Sequence, residues 1–288
     1  MRVAVIGHTE WMEFARVDRV PLQGEIAVAS GFFEEPAGGG AVAAVQLARL
    51  AGSCDFFTAF GSDALARRSI DRLTALGVTV HAAKRPGGTR RGWVYQDHQA
   101  ERTITVIGPK LVPALDDPLS WGVLEDADLV FYVAGAEGVL EWARSARLLT
   151  ATTRSLPEGP GVRLDAAIAS SRDPAETFAT GDLAPEPGLS VWTAGAEGGR
   201  WRTADGREGT YAPAPPPADP VDAYGCGDSF AAGTSFGLAA GRSVEAALAL
   251  GARCGAMVTT GNGPYERQVS EASSAGRESE SAKSGGRL

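Results

Sequence analysis

Cysteine is scarce. The three present, Cys54, Cys226 and Cys254, are odd in number and widely spaced, with no pair at zinc-like intervals. That excludes a disulfide framework and fits the reduced thiols of a cytoplasmic protein. Long apolar runs are missing as well. Nothing approaches the roughly 20 apolar residues of a membrane-spanning helix. The opening stretch, residues 1–7, is too short an apolar run for a signal peptide, and acids follow it soon after. Positive charge is not in excess: the formal net charge is −8. Nothing would offset phosphate repulsion, which argues against a nucleic-acid partner; a nucleotide, needing only a locally positive pocket, stays open. No Gly-x-Gly-x-x-Gly follows the first strand, so a dinucleotide-dependent oxidoreductase is a poor reading. No internal repeat is present.

What is there is ordinary for a globular protein: 44% apolar and 22% charged residues in a 288-residue chain, enough for an ample core. Short β-prone runs alternate with helix-patterned segments, the signature of a mostly parallel sheet covered on both faces. Strands are expected over 3–6, 55–60, 128–133, 166–169 and 189–193. Helices are expected over 41–50, 63–76, 139–149, 227–240 and 244–259, with Asp63 as an N-cap and Gly77 as a C-terminal stop. Two aromatic-bearing regions, 14–33 and 90–107, break the rhythm. They read as antiparallel strands that leave the main sheet as a lid, the second a hairpin around Asp97–Ala100; edge strands of one mixed sheet are the plainer alternative. Pro213–Pro217 reads as a rigid connector. From about residue 270 the chain is Ser, Glu, Gly and Lys, a composition expected to be disordered, which leaves one domain over 1–269.

The most informative stretch is Asp222-Ala223-Tyr224-Gly225-Cys226-Gly227-Asp228-Ser229-Phe230. Amides freed at a helix start and exposed by glycines seat phosphate oxygens. An Asp beside that seat can take a proton from an attacking hydroxyl, so the combination suggests phosphoryl transfer. From the residues alone, Asp228 reads equally well as an N-cap. Upstream, Gly38-Gly39-Gly40-Ala41 enters an Ala-rich segment that runs through Ala48-Arg49-Leu50 to Gly52, where glycines would let backbone approach a ligand closely. Thr193-Ala194-Gly195-Ala196-Glu197-Gly198 reads as a strand end followed by a turn. Asp173-Pro174-Ala175-Glu176 reads as an N-cap with an acid in the first turn.

These four motifs, in this order, resemble the signatures of the ribokinase-like (PfkB) family of sugar and nucleoside kinases, over roughly residues 3–263. The resemblance implies a three-layer α/β/α sandwich with a small β lid. It implies transfer of the γ-phosphate of ATP to a hydroxymethyl group of a sugar-like or nucleoside-like substrate. Asp228 would be the base, and Gly225, Cys226 and Gly227 the anion hole, flanked by Tyr224. Thr193, Gly195 and Gly198, with Asp222 and Tyr224, would line the nucleotide site. Glu176, with Asp173 where the family usually has Asn, would help hold magnesium through water, and a monovalent cation is a further expected aid. Gly38, Gly39 and Gly40 would face the substrate, with Arg102 reaching it from the second lid strand; a solvated strand residue is the plainer reading of that Arg. An exposed lid sheet could pair with a second copy, giving a homodimer.

The departures fall on the substrate side. The family usually has an Asp about five residues after the first-strand glycine and an Asn two positions after the Gly-Ala start; here they are Met12 and Val42. Losing both should cost several kcal/mol of furanose binding, roughly. Glu10 or Glu13, aided by His8, is expected to take over the hydroxyl contacts; otherwise the substrate is less polar on that face, and His8 is a satisfied loop histidine. Cys226 stands where Ala is usual, and a helix start lowers a thiol pKa, so it is expected to be reactive and protected by ATP. A catalytically idle, metabolite-binding relative is the alternative from another class; retention of Asp228 beside an intact Gly-x-Gly argues against it.

Overall fold

A computed structural model of the chain describes residues 1–156 and 161–270. Apart from Ser270, the expected disordered tail lies outside the described residues. In chain order, β1 (Val3–Ile6), β2 (Glu10–Arg16) and β3 (Gly31–Ala37) precede α1 (Gly39–Ala51). Next come β4 (Cys54–Phe60), α2 (Ala64–Ala75), β5 (Val78–Lys84), β6 (Arg91–Gln96) and β7 (Arg102–Ile107). The middle holds β8 (Leu129–Tyr132), α3 (Val139–Ala143), β9 (Leu149–Thr152), β10 (Ala166–Ser170) and β11 (Leu189–Thr193). β12 (Gly199–Thr203), β13 (Glu208–Tyr211), α4 (Cys226–Ala239) and α5 (Val244–Val258) complete the fold.

The main sheet has nine strands in the order β13-β12-β11-β10-β9-β8-β1-β4-β5. All pairings from β5 to β11 are parallel, and only the β11–β12 and β12–β13 pairings are antiparallel. Side chains alternate across it. Val3 and Val5 of β1, with Phe56 and Phe131, pack under α1, α2, α4 and α5. Ala4 and Ile6, with Phe57, Val130 and Tyr132, pack under α3 and the short 3-10 turn Trp121–Asp126. Burial on both faces is why β1 reads as an unbroken apolar run. Asp63 caps α2, its side chain accepting from the Ala66 amide, and Gly77 follows at φ 89° as expected. Among the described residues no helix is long and apolar enough to cross a membrane.

One helix differs from expectation. The stretch 139–149 is helical only to Ala143, and Leu149 begins a strand. The Arg144 guanidinium collects the carbonyls of Ala146, Arg147 and Arg163, which turns the chain out of the helix. Leu149 and Ala151 are then buried within the sheet, between β8 and β10. β5, β12 and β13 were also not expected as strands.

The lid is a separate four-stranded sheet, β3-β2-β6-β7. Its outer pairs are antiparallel, but its central pair, β2 with β6, is parallel, which corrects the wholly antiparallel expectation. The reason is topological: β2 continues from β1, and β6 from β5, so two parallel strands of the main sheet leave it in the same direction. β2 also begins at Glu10, and residues 17–30 form no strand.

Candidate active site

The site is built where the start of α1 meets the start of α4. A Cβ placed on Gly39 would lie 3.0 Å from Asp228 Oδ1 and 3.2 Å from Val133 Cγ1. One on Gly40 would lie 2.7 Å from the His8 carbonyl oxygen. The glycines therefore let α1 dock against the end of β1 and the Asp228 carboxylate together. The Gly38 amide donates to the Tyr224 hydroxyl at 3.2 Å, joining the two motifs a second time.

At α4 the N-cap is Gly225, at φ 78°, and no side chain caps the helix. Asp228 is its third residue and caps nothing, so the capping alternative does not hold. The space beside Gly227 is open, with no atom within 4 Å of where its Cβ would be. The result is an uncapped helix start facing an opening, with a carboxylate in its first turn. Burial pushes the Asp228 pKa up to about 6; the nearby Glu176 and Glu10 carboxylates add to this, and Arg102 and Arg154 oppose it.

The loop before α4 is fastened to the lid. Asp222 is buried and accepts from the Tyr224 and Gly263 amides, both at 2.8 Å, and from the Gln96 side-chain amide on β6. It thus points into the loop it holds. Arg102 donates to the Ala223 carbonyl at 3.0 Å, so its guanidinium lies against the proposed anion hole. Cys226 differs from expectation: burial pushes its thiol pKa up, and the Asp228 charge adds to that against Arg102. Desolvation outweighs the helix start.

On the substrate side, Met12 and Val42 are fully buried. Met12 lies against Gly92, and Val42 lies against Gly225. Glu10 shares a lid face with Met12 and Phe14, and Phe14 makes an edge contact with Tyr224 at 5.0 Å. Arg90 Nε stands 2.6 Å from Glu10 Oε1. Burial raises the Glu10 pKa, with Arg90 and Lys110 opposing. Glu13, one residue out of phase, faces the other side and pairs with Arg91, so the structure does not bring it to the cluster. His8 is buried, with a pKa lowered to about 3 by burial and by the charges of Lys110, Arg90 and Arg154. Its Nδ1 has no hydrogen-bond partner among the described residues, unlike the satisfied loop histidine of the plainer reading.

The turn after β11 is held tightly. The Ala194 amide donates to the Gly198 carbonyl at 2.8 Å, and a Cβ on Gly198, at φ 83°, would fall 2.1 Å from the Tyr211 carbonyl oxygen. Beside Thr193, Gly195 and Gly198 lies an open cleft of about 570 Å³ that includes Ser171, Ala194, Glu197 and Tyr211. Tyr211 stacks on Phe230 of α4 at 5.4 Å, linking this cleft to the helix that carries Asp228. Glu176 accepts from the Ser170 amide at 3.2 Å and from Arg154 Nε at 3.0 Å; Arg154 also pairs with Asp173. Among the described residues no group of three or more His, Cys, Asp or Glu could hold a metal. Both acids are engaged by Arg154, which leaves neither free to bind a metal directly.

Sequence reasoning missed Gln96, Arg90, Lys110 and Arg154. Arg154 sits just past the carboxyl end of β9, where ligand sites of parallel sheets gather. That signal is hidden because the expected helix runs on to 149 and no strand is expected over 150–152.

The family and the fold are shared with known proteins. The family described as pfkB family carbohydrate kinase matches residues 1–158 and 181–270. Ribokinase from Thermotoga maritima is similar at 18% identity and a TM-score of 0.78, covering 97% of this chain and 99% of that one. Arabidopsis thaliana ribokinase, complexed with ribose and ATP, gives 18%, 0.75, and 96% and 97%. Burkholderia thailandensis nucleoside kinase, in complex with inosine, gives 16%, 0.74, and 97% and 97%. No curated protein matches the sequence. The chain has the ribokinase-like fold and belongs to the pfkB family of carbohydrate kinases.

Proposed function

We propose that the protein transfers the γ-phosphate of ATP to a hydroxymethyl group of a sugar-like small molecule, with Asp228 as the general base. The observation that carries this reading is the pairing of an uncapped α4 start with a carboxylate whose pKa is about 6, close to the working range of a base. Asp228 takes the proton of the acceptor hydroxyl. The amides of Gly225, Cys226 and Gly227 receive the charge that develops on the transferred group, and they are already oriented, so little reorganisation is required. Arg102, held on Ala223, adds positive charge at the same place.

The cleft beside Thr193–Gly198 is the proposed nucleotide site, with magnesium carried in on the phosphates and met by Glu176 through water. ATP in the Arabidopsis ribokinase structure supports the nucleotide. The ribose there and the inosine of the Burkholderia kinase support a sugar-like acceptor. Closing the lid excludes water and limits wasteful ATP hydrolysis. Ile104 and Val106, exposed on the lid face that carries Met12 and Phe14, leave an apolar edge for a second copy, so a homodimer through the lid belongs to this reading.

The test is an ATP-consumption screen over sugars, sugar phosphates, sugar acids and nucleosides, with Asp228→Asn as the blank. Acceptor-dependent turnover lost in the blank is expected; equal turnover in the blank would defeat the mechanism.

A further inference from the structure

Three cations from three separate segments surround His8 and Glu10: Arg90 before β6, Lys110 after β7 and Arg154 after β9. All three act electrostatically on His8. Their partners are unequal. Arg90 has Glu10 at 2.6 Å, and Arg154 has Asp173 and Glu176. Lys110 has no carboxylate among the described residues; its ammonium donates to Ser155 Oγ at 2.8 Å.

Lys110 is half-buried, and its pKa is lowered by that burial and by Arg90 and Arg154, with Glu10 opposing. An ammonium taken from water and set beside two guanidinium groups is unfavourable unless an anion joins it. The buried His8 Nδ1, which feels the Lys110 charge, is also without a partner among the described residues. The same end of the site has lost polarity elsewhere, since Met12 and Val42 are packed into protein and present nothing to a hydroxyl. The site therefore holds an ammonium with no carboxylate at ion-pair distance and a buried nitrogen with no partner among the described residues, where neutral hydroxyl contacts would otherwise be.

The position suits an acceptor's far end. His8 Cδ2 lies 3.2 Å and Glu10 Cγ 3.3 Å from the Cβ position of Gly38; Asp228 Oδ1 lies 3.0 Å from that of the next residue, Gly39. His8 and Glu10, which holds Arg90, thus lie against one glycine and the base against the next, the two about 3.8 Å apart at Cα.

We infer that the acceptor is a sugar-like alcohol bearing an anionic group, a carboxylate or a phosphate, which Lys110 receives together with Arg90 and His8 while Asp228 addresses the hydroxymethyl at the other end. This rests on the kinase reading above. Glu10 then acts as a positioning residue that holds Arg90, and Arg154 belongs to the side of Glu176 and the nucleotide. A compact ammonium with three rotatable donors serves either anion.

The test compares a neutral sugar, the corresponding sugar acid and the corresponding sugar phosphate as acceptors, for the full chain and for Lys110→Met and Lys110→Arg. The acid or the phosphate is expected to exceed the neutral sugar at least tenfold in kcat/KM, and the better of the two identifies the anion. Lys110→Met should raise the acceptor KM about 10- to 100-fold, with the ATP KM within about twofold, and Lys110→Arg should recover part of the loss. A neutral acceptor used as well as the charged ones overturns the inference. So does a Lys110→Met effect on the ATP KM alone, which would assign the cations to the nucleotide. If no acceptor is turned over, the kinase reading fails separately, and calorimetric titration with the same three compounds decides. Binding of an anionic compound that Lys110→Met abolishes, at an unchanged melting temperature, sustains the anion site; absence of such binding removes it.

Discussion

The pKa of Asp228, about 6, fixes how activity should depend on pH. The base must be ionised to accept a proton. At that pKa it is about nine-tenths ionised at pH 7 and about one-tenth at pH 5, so kcat/KM should fall about tenfold across this interval. An aspartate at the ordinary value of about 3.9 would stay more than roughly nine-tenths ionised at pH 5 and give a flat profile. Burial is the main cause of the shift, with Glu176 and Glu10 adding and Arg102 opposing. Glu176→Gln should therefore move the midpoint down, and Arg102→Met should move it up. The assay is ADP release at limiting acceptor, with the coupling enzymes in excess at each pH.

The same shift has a stability consequence. Asp228 binds its proton more tightly folded than unfolded, so its ionisation opposes folding as pH rises from about 4 to about 6. Two units correspond to at most about 3 kcal/mol, less after allowance for solvent at a half-buried carboxylate. Asp228→Asn should then be inactive yet more stable at pH 7, with the gain vanishing below about pH 4. A flat rate profile between pH 5 and 7, together with an Asn variant no more stable than the parent, would refute the reasoning.

Other outcomes follow from single contacts. Gly39→Ala puts a methyl 3.0 Å from Asp228 Oδ1 and should lower kcat about tenfold or more, measured in the same assay beside a nearly unchanged melting temperature. Gly198→Ala places Cβ 2.1 Å from the Tyr211 carbonyl oxygen at a positive φ; a loss of about 2–3 kcal/mol and a raised ATP KM are expected, read by denaturant titration and kinetics. Cys226, its thiol pKa raised by burial, should react with iodoacetamide at pH 7 at least about tenfold more slowly than a free cysteine; mass spectrometry over time checks this.

The long buried elements were legible because their patterns are local. β1 and β4 are apolar runs, and α2 announces itself through Asp63 and Gly77. Leu149–Thr152 was not legible, because four residues, Leu-Thr-Ala-Thr, directly after a helical pattern are too few to show a period of their own; only the Arg144 contacts and pairing with β8 and β10 decide it. Likewise Glu10 and Glu13 look equivalent in sequence. The strand phase sends one toward Arg90 and the other toward Arg91. Lys110 and Arg154 carry no motif at all, and they matter only because separate segments deliver them to His8.

The sequence by itself determined the local geometry of the α4 start. Gly-x-Gly-Asp at a helix start specifies uncapped amides and a carboxylate through backbone geometry that neighbouring residues set. Only the tertiary structure decided what surrounds that end: the value to which burial drives Asp228, the inward turn of Asp222, the burial of Met12 and Val42, and the gathering of three cations near His8. Electrostatics and desolvation depend on distances between residues far apart in the chain, and a one-dimensional pattern does not contain those distances.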